Sequence, residues 1–332
     1  MKFKLVLING YFGQRLPTSR SMDVDEIIKF FHYFGHVCEK MDVHELANGL
    51  VDENYIYLIS SHQNPGIKKY LNDIVVLKFL DKQSNVLPSI KNFVAHENKG
   101  AQAIISAGWA DSFVQQAYYY DEVTTQFPKV AKKPSGSGSV GVSLVKDKDA
   151  LRSSLKKMFL LDYNLDDLIF MVKELIKHTL LRKKLSAEHT LYFKKYNPYI
   201  LQDYIPNLTG DFKVLVFGKK VYVLTREVRK NDFRASGSGL FSFKEPSTEL
   251  LNFALSVKNK LKTPMVSLDI VSDNGIYKCI EYQCTHFGPY AQFEAKYYYE
   301  YTQGAQWIKK DNDVTIEYLF AEAVDDYLKD HD

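Results

Sequence analysis

Residues 199–228 read YILQDYIPNLTGDFKVLVFGKKVYVLTREV, three apolar runs rich in branched residues with turn-forming residues between them. YILQDYI ends at Pro206-Asn207. DFKVLVFG and KKVYVLTREV then meet at the Gly218-Lys219-Lys220 stretch, which reads as the turn of a hairpin. Further along, MVSLDIV (265–271), a turn at Asp273-Asn274-Gly275 and IYKCIEYQ (276–283) form a second, closing hairpin. Residues 247–261, between the two hairpins, have helical character.

Working outward, the chain opens differently. Residues 3–8 (FKLVLI) are a buried strand that stops at Asn9-Gly10. Asp23 to Phe34 places acidic residues first and Ile27, Ile28, Phe31 and Phe34 at helical spacing. Tyr55 to Ile59 is another apolar run, ending in Ser60-Ser61-His62-Gln63-Asn64-Pro65-Gly66. Strand, helix and strand in this order predict a small α/β lobe of parallel topology, with ligands at the carboxyl ends of its strands: Asn9-Gly10 and Ser60 to Asn64. Residues 66–82 are helix-like. Residues 149–190 are helical and basic, with Lys173, Lys177, Arg182, Lys183 and Lys184 reading as a solvated face. The tyrosines at 118–120 and 297–299 pack the side of a strand or helix.

With 43 Lys and Arg against 40 Asp and Glu, the net charge of +3 gives no case for a nucleic-acid partner. No run approaches the roughly 20 apolar residues of a membrane span, and MKFKLVLING is too short for a secretory leader. Cys38, Cys279 and Cys284 make no CxxC pair and leave one odd thiol, so a reducing cytoplasm is expected. His32, His36 and His44 lack the further ligands in register that a zinc site needs.

Three segments could carry chemistry. Lys133-Pro134-Ser135-Gly136-Ser137-Gly138-Ser139-Val140-Gly141-Val142 follows a strand at 129–133. Its small residues let backbone N–H groups close on an anion, beside a lysine charge. Neither GxxxxGK[ST] nor GxGxxG is present. On the closing hairpin, Glu281 and Gln283 share a face because side chains alternate, and Asp269 on the partner strand reaches it. That oxygen-rich cluster suits Mg²⁺ beside a nucleotide's phosphates. Arg226 and Arg234 bracket a basic strand exit suited to charge on a transferring phosphoryl group.

Taken together, FPKVAKKPSGSGSVGV, residues 199–228, RKNDFRASGSG and SLDIVSDNGIYKCIEYQ resemble the ATP-grasp superfamily, over roughly residues 70–295. The second and third segments look like parts of ribosomal-protein glutamate ligases and D-alanine–D-alanine ligases. The resemblance implies an α/β fold with an N-terminal preATP-grasp lobe (1–72), a central lobe with the Gly/Ser-rich lid and a helical insertion (73–200), and a C-terminal lobe with the metal site (201–332), the two grasp lobes clamping ATP. It gives Lys133 to the α/β phosphates, and Ser135, Gly136, Ser137, Gly138 and Ser139 to the phosphate lid. Gln202, with the backbone of Asp203, Tyr204 and Ile205, reads adenine, and Asp211 holds the ribose. Arg234, with Arg226, faces the reacting phosphates. Asp269, Glu281 and Gln283 hold two Mg²⁺ ions, with Gln283 standing where Asn is usual. The superfamily's first phosphate lysine has no clear match; Lys78 and Lys82 are nearby.

By the same resemblance the protein is an enzyme, an ATP-dependent carboxylate–amine ligase. A carboxylate becomes an acylphosphate, an amine forms the amide, and ADP and phosphate leave. Acceptor-shaping positions are Asn9, His62, His286 and Gly288. The ending EYQCTHFGPY is similar to ATP-grasp proteins linked to bacterial surface-polysaccharide modification, which implies a sugar acid and an amino compound as small-molecule substrates. A homodimer, a phosphotransferase on the same fold, and a nucleotide-binding regulatory protein stay open.

Overall fold

The computed structural model describes residues 1–332 except 14–21, 137–140, 163–164, 180–185, 187, 189–190, 192–194, 230–233, 235–238, 286, 303 and 331–332. The chain divides into two compact units, Met1–Val114 with Ile205–Asp332, and Gln115–Tyr204.

The first unit begins with β1 (Lys2–Leu7), α1 (Val24–Tyr33), β2 (Val37–Asp42), α2 (Val43–Asn48), β3 (Ile56–Ile59), α3 (Pro65–Phe79), β4 (Val86–Leu87), α4 (Ile90–Val94) and α5 (Lys99–Ser106). The strands form a parallel sheet in the order β2-β1-β3-β4, as the strand–helix–strand pattern predicts. Strand β2 has no counterpart in the sequence reading. It is an edge strand, VCEKMD, in which Cys38 alone is buried, so no apolar run announces it. Helix α1 starts where the Asp23 carboxylate accepts the N–H groups of Asp25 and Glu26 (2.9 and 3.1 Å). At α3, Pro65 enters the first turn and Asn64 caps it. Alternation along β1 sends Phe3, Leu5 and Leu7 to the core of Ile27 and Phe31, and Val6 to that of Leu71, Val75 and Phe79.

The second unit holds β5 (Gln116–Tyr119), β6 (Lys129–Lys132), β7 (Val142–Val145), α6 (Lys148–Phe159), α7 (Leu165–Thr179) and β8 (Tyr199–Asp203). Its antiparallel sheet runs β5-β8-β6-β7 around Ala131, Val145, Leu151, Phe159, Tyr199 and Leu201. The helical stretch expected over 149–190 is interrupted by a 3₁₀ turn at Leu160–Asp162, so α6 and α7 are separate helices.

The first unit resumes with β9 (Gly210–Phe217), β10 (Lys220–Glu227), β11 (Phe241–Ser242), α8 (Thr248–Leu261), β12 (Met265–Asp273), β13 (Ile276–Gln283), α9 (Tyr290–Glu294), β14 (Tyr297–Tyr301), β15 (Trp307–Asp311) and α10 (Ile316–Lys329). Both predicted hairpins are present, β9–β10 and β12–β13, within one antiparallel sheet of order β13-β12-β9-β10-β14-β15, with β11 on β10. The tyrosine run at 297 forms β14, where Tyr298 stacks on Tyr222 at 5.6 Å. One face of the sheet, through Val214, Val216, Val266, Leu268 and Ile270, buries α8 by way of Leu250, Ala254, Val257 and Leu261. The opposite face begins apolar: Leu215, Phe217, Tyr222, Leu224 and Met265 join Leu319, Phe320 and Val324 of α10 and the β1–α1 core. Each such side chain contributes roughly 1.5–3 kcal/mol on burial. Farther along this second face the side chains turn charged.

Candidate active site

Strand registers build the charged patch. Asp211 of β9 lies opposite Arg226 of β10, Lys213 of β9 opposite Asp269 of β12, and Asp269 opposite Glu281 of β13. Cross-strand partners share a face, so all five point the same way. Arg226 donates to Asp211 through Nε (2.6 Å) and Nη2 (2.9 Å), and Nη2 lies 3.2 Å from Asp269 Oδ2. Lys213 Nζ donates to Asp269 Oδ1 at 2.9 Å. Glu281 Oε1 pairs with Lys99 Nζ at 3.3 Å and accepts from Gln283 Nε2 at 3.2 Å. The Glu97 backbone N–H donates to Gln283 Oε1 at 2.9 Å. Three carboxylates thus meet three cations, and the charge balances where burial would penalise an unpaired ion.

The electrostatics are uneven. Burial, opposed by Arg226 and reinforced by the Asp269 charge, pushes the Asp211 carboxyl up to about 6. Burial alone would raise Asp269 too, but Lys213 and Arg226 hold it well below the usual carboxylate range. The two carboxylates keep Arg226 charged against the cost of its burial.

Asp211, Arg226, Asp269, Glu281 and Gln283 therefore share one sheet face of the first unit, Asp211, Arg226 and Asp269 bonded with Lys213, and Glu281 and Gln283 bonded to each other beside Lys99. Asp211 spends both oxygens on Arg226, and Asp269 both of its own on Lys213 and Arg226. Arg234 is half-buried. Asn9 is exposed in a left-handed turn (φ 49°), Gly288 is exposed, and His62 Nδ1 accepts the Asn64 N–H at 2.9 Å. Burial lowers the His62 pKa. Ser137, Gly138, Ser139 and His286 lie outside the described residues.

In the second unit, Lys133 Nζ pairs with Asp162 at 2.9 Å and lies 4.9 Å from the Phe159 ring centroid. The turn closes with the Lys133 N–H donating to the Gly141 carbonyl at 2.9 Å. Gly141 has φ +70°, and a Cβ there would stand 2.8 Å from Lys133 Cγ. Ser135 and Gly136 are exposed and Tyr204 is half-buried. Gln202, 4% exposed, donates to Gln116 Oε1 at 3.2 Å, and Asp203 pairs with Lys129 at 2.5 Å.

Sequence reasoning missed two cations, Lys213 and Lys99. Lys213 sits in plain strand alternation beside Asp211, a signal that could have been used. Lys99 opens α5, which Asn98 caps by accepting the Ala101 N–H, and only tertiary packing brings it to β13. The sequence candidates Lys78 and Lys82 are engaged elsewhere, with the Gly49 carbonyl (2.7 Å) and Glu53 (2.7 Å). Cys279 and Cys284 are buried, and burial pushes both thiols up, Cys284 to about 12, which suits core residues and not nucleophiles. His36 pairs with Asp325 at 3.0 Å. Among the described residues no group of three or more His, Cys, Asp or Glu is arranged around a metal position. Nor is any helix of theirs long and apolar enough to cross a membrane.

A Mg²⁺ bound with a nucleotide takes only one or two protein carboxylates, the rest of its shell being phosphate oxygen and water. The donors fit that demand in part. Both bonds to Glu281 fall on Oε1, leaving Oε2 outside them, and the Gln283 amide lies alongside. Asp269 would have to exchange a bond with Lys213 or Arg226 to join in.

Solved structures match the fold of this chain along nearly its whole length. D-cycloserine synthetase DcsG is 11% identical, covering 99% of this chain and 100% of its own, with a TM-score of 0.53. D-alanine–D-alanine ligase from Bacillus anthracis, complexed with ATP, is 14% identical over 99% and 98%, with a TM-score of 0.52. The chain has the ATP-grasp fold. A third match in fold is macrocyclase MdnC from Microcystis aeruginosa MRC, bound with precursor peptide MdnA (10% identity, 99% and 100% covered, TM-score 0.50). No family model and no curated protein matches this chain in sequence.

Proposed function

We propose that the protein is an ATP-dependent carboxylate–amine ligase. The observation that carries this reading is the convergence of Glu281, Gln283 and Asp269 with Lys99, Lys213 and Arg226 on one sheet face of an ATP-grasp fold. On this reading Gln202 and the backbone of Asp203 to Ile205 serve adenine, Asp211 stands at the ribose position, and Lys133 with Ser135 to Gly141 serves the phosphates. Arg226 and Arg234 face the reacting phosphates. Glu281, Gln283 and Asp269 would hold Mg²⁺, which, when bound, offsets phosphate charge. Lys99, buried beside Glu281, supplies the phosphate lysine that Lys78 and Lys82 do not.

The reaction balances simply. A carboxylate oxygen of the substrate attacks the γ-phosphorus, the bond to the β,γ-bridging oxygen breaks, and ADP departs. An amine then attacks the acyl carbon, phosphate leaves with the C–O electron pair, and the proton lost from the amine nitrogen passes to the medium. The cations Lys99 and Arg226 stabilise charge that spreads over the phosphoryl oxygens. A sugar acid and an amino compound remain the substrates we favour, on the strength of EYQCTHFGPY, and a reducing cytoplasm the setting.

One observation favours a second reading. With both Asp269 oxygens engaged, a nucleotide-binding regulatory protein would look similar. ADP release from Mg-ATP, measured against uronic and amino acids with and without pooled amines, decides between them. Release requiring both carboxylate and amine supports the ligase. Release with a hydroxyl acceptor alone means a phosphotransferase, and ATP binding without turnover favours the regulatory protein.

A further inference from the structure

Glu97 stands between α4 and α5 with φ 47°, in the left-handed region that Gly favours and a glutamate enters at a cost. A strained residue persists where its surroundings fix it, and here each polar group of Glu97 is taken by a different element. Its N–H donates to Gln283 Oε1 of β13 at 2.9 Å. Its carbonyl accepts from Lys68 Nζ of α3 at 3.1 Å. Its carboxylate accepts from Gln63 Nε2, in the loop between β3 and α3, at 2.8 Å. The residues that follow, Asn98 and Lys99, cap and open α5, and Lys99 reaches Glu281 at 3.3 Å.

These bonds join two ends of the first unit. From Gln63 they run through the side chain and main chain of Glu97 to Gln283, whose Nε2 donates to Glu281 Oε1 at 3.2 Å. A carbonyl oxygen has two lone pairs, so Gln283 Oε1 can accept the Glu97 N–H and still face a cation. Released from that N–H, the carboxamide could turn end for end and offer its NH₂ group, which holds no metal. Half-buried Lys68 steadies the turn from the α3 side. Burial lowers its pKa, Glu97 opposes the fall and Lys99 adds to it, which sets these charges close together. A glycine would take this backbone without strain, so what a glutamate adds at position 97 is its carboxylate, and that carboxylate is bonded to the β3 loop. Building on the ligase reading, we propose that Glu97 is a positioning residue that ties the loop at the carboxyl end of β3, where the acceptor is expected, to the orientation of Gln283. Order in that loop then favours the metal and nucleotide, and by reciprocity the metal and nucleotide favour order in the loop.

Titration calorimetry of the full chain with β,γ-imido-ATP, in Mg²⁺ and in EDTA, is the test. Gln63→Ala should weaken binding about threefold or more in Mg²⁺ and leave it unchanged in EDTA. Glu97→Gly, which keeps the left-handed backbone and its N–H, should do the same. The two changes together should weaken binding no further than either alone, since both break one bond. Glu97→Gln keeps an oxygen for Gln63 Nε2 and should restore most of the wild-type affinity. Equal losses in Mg²⁺ and in EDTA would make Glu97 a structural residue only, and additive losses, or none, would break the connection from Gln63. Each of these overturns the proposal while leaving the ligase reading in place. A wild type that binds no nucleotide overturns the nucleotide site itself, and one that binds it alike in both buffers overturns the metal site; either result takes this proposal with it.

Discussion

Lys99 and Glu281 meet at 3.3 Å, the lysine side chain only 8% exposed and the glutamate side chain 23%. The pair joins the start of α5 to the last strand of the patch, and places a buried cation where the proposed nucleotide phosphates need one. Lys99→Ala is expected to lower Mg-ATP affinity at least tenfold. Glu281 keeps some solvent, so the stability cost should stay near 1 kcal/mol. Titration calorimetry and thermal unfolding read the two effects separately. Unchanged affinity would make the pair purely structural.

Asp211 predicts a pH signature. Its carboxyl, pushed up to about 6 by burial, keeps its proton where the unfolded chain, titrating near 3.8, has lost one. Between those values the folded state binds more protons, so stability from this group falls as pH rises, by roughly 2–3 kcal/mol in total, and levels off above 6. Asp269 runs oppositely, its contribution being lost only as pH drops below the ordinary carboxylate range. Thermal unfolding of the wild type and Asp211→Asn from pH 4.5 to 7.5 should show the variant gaining on the wild type up to pH 6. Parallel curves would mean Asp211 is ionised throughout.

Gly210 sits where β9 presses on β10. A Cβ there would stand 2.3 Å from the Arg226 carbonyl oxygen. Gly210→Ala should therefore cost about 1–3 kcal/mol and shift Arg226 against Asp211. Gly288→Ala, with nothing within 4 Å, should stay within about 0.5 kcal/mol. Denaturant unfolding compares them, and equal stabilities would refute the close approach.

Lys133 is held by Asp162, 41% exposed, a pair worth no more than about 1 kcal/mol. If Lys133 serves phosphate, Asp162 competes for it. Asp162→Asn should then tighten ATP severalfold while Lys133→Ala weakens it about tenfold. Should both variants bind ATP like the wild type, the lysine only anchors its turn.

Much of this fold is legible in the sequence because its strands obey a period of two. DFKVLVF and MVSLDIV alternate cleanly enough to yield both hairpins, and with them the shared face of Asp269, Glu281 and Gln283. Strand β2 escapes because an edge strand with one buried residue has no apolar period; helix α10, which packs on α1 and β9, could have been read, since its buried Leu319, Phe320, Ala323 and Val324 recur at helical spacing. Lys99 escapes because its partner is fixed by packing, not spacing. The pairing of Arg226 with Asp211 could have been read from the hairpin register, by counting back from the turn at Gly218.

The two-faced sheet also constrains how this gene can change. Deleting one residue within β9 inverts everything beyond the cut. Asp211 or Lys213 would be driven against the α8 core, or Val214 and Val216 turned outward, so odd-length changes inside β9, β10 or β12 lose core and charge network together. A two-residue change shortens a strand but preserves its parity. Lineages descended from such a chain should therefore vary in the length of these strands in steps of two, and keep their odd-numbered insertions in the loops.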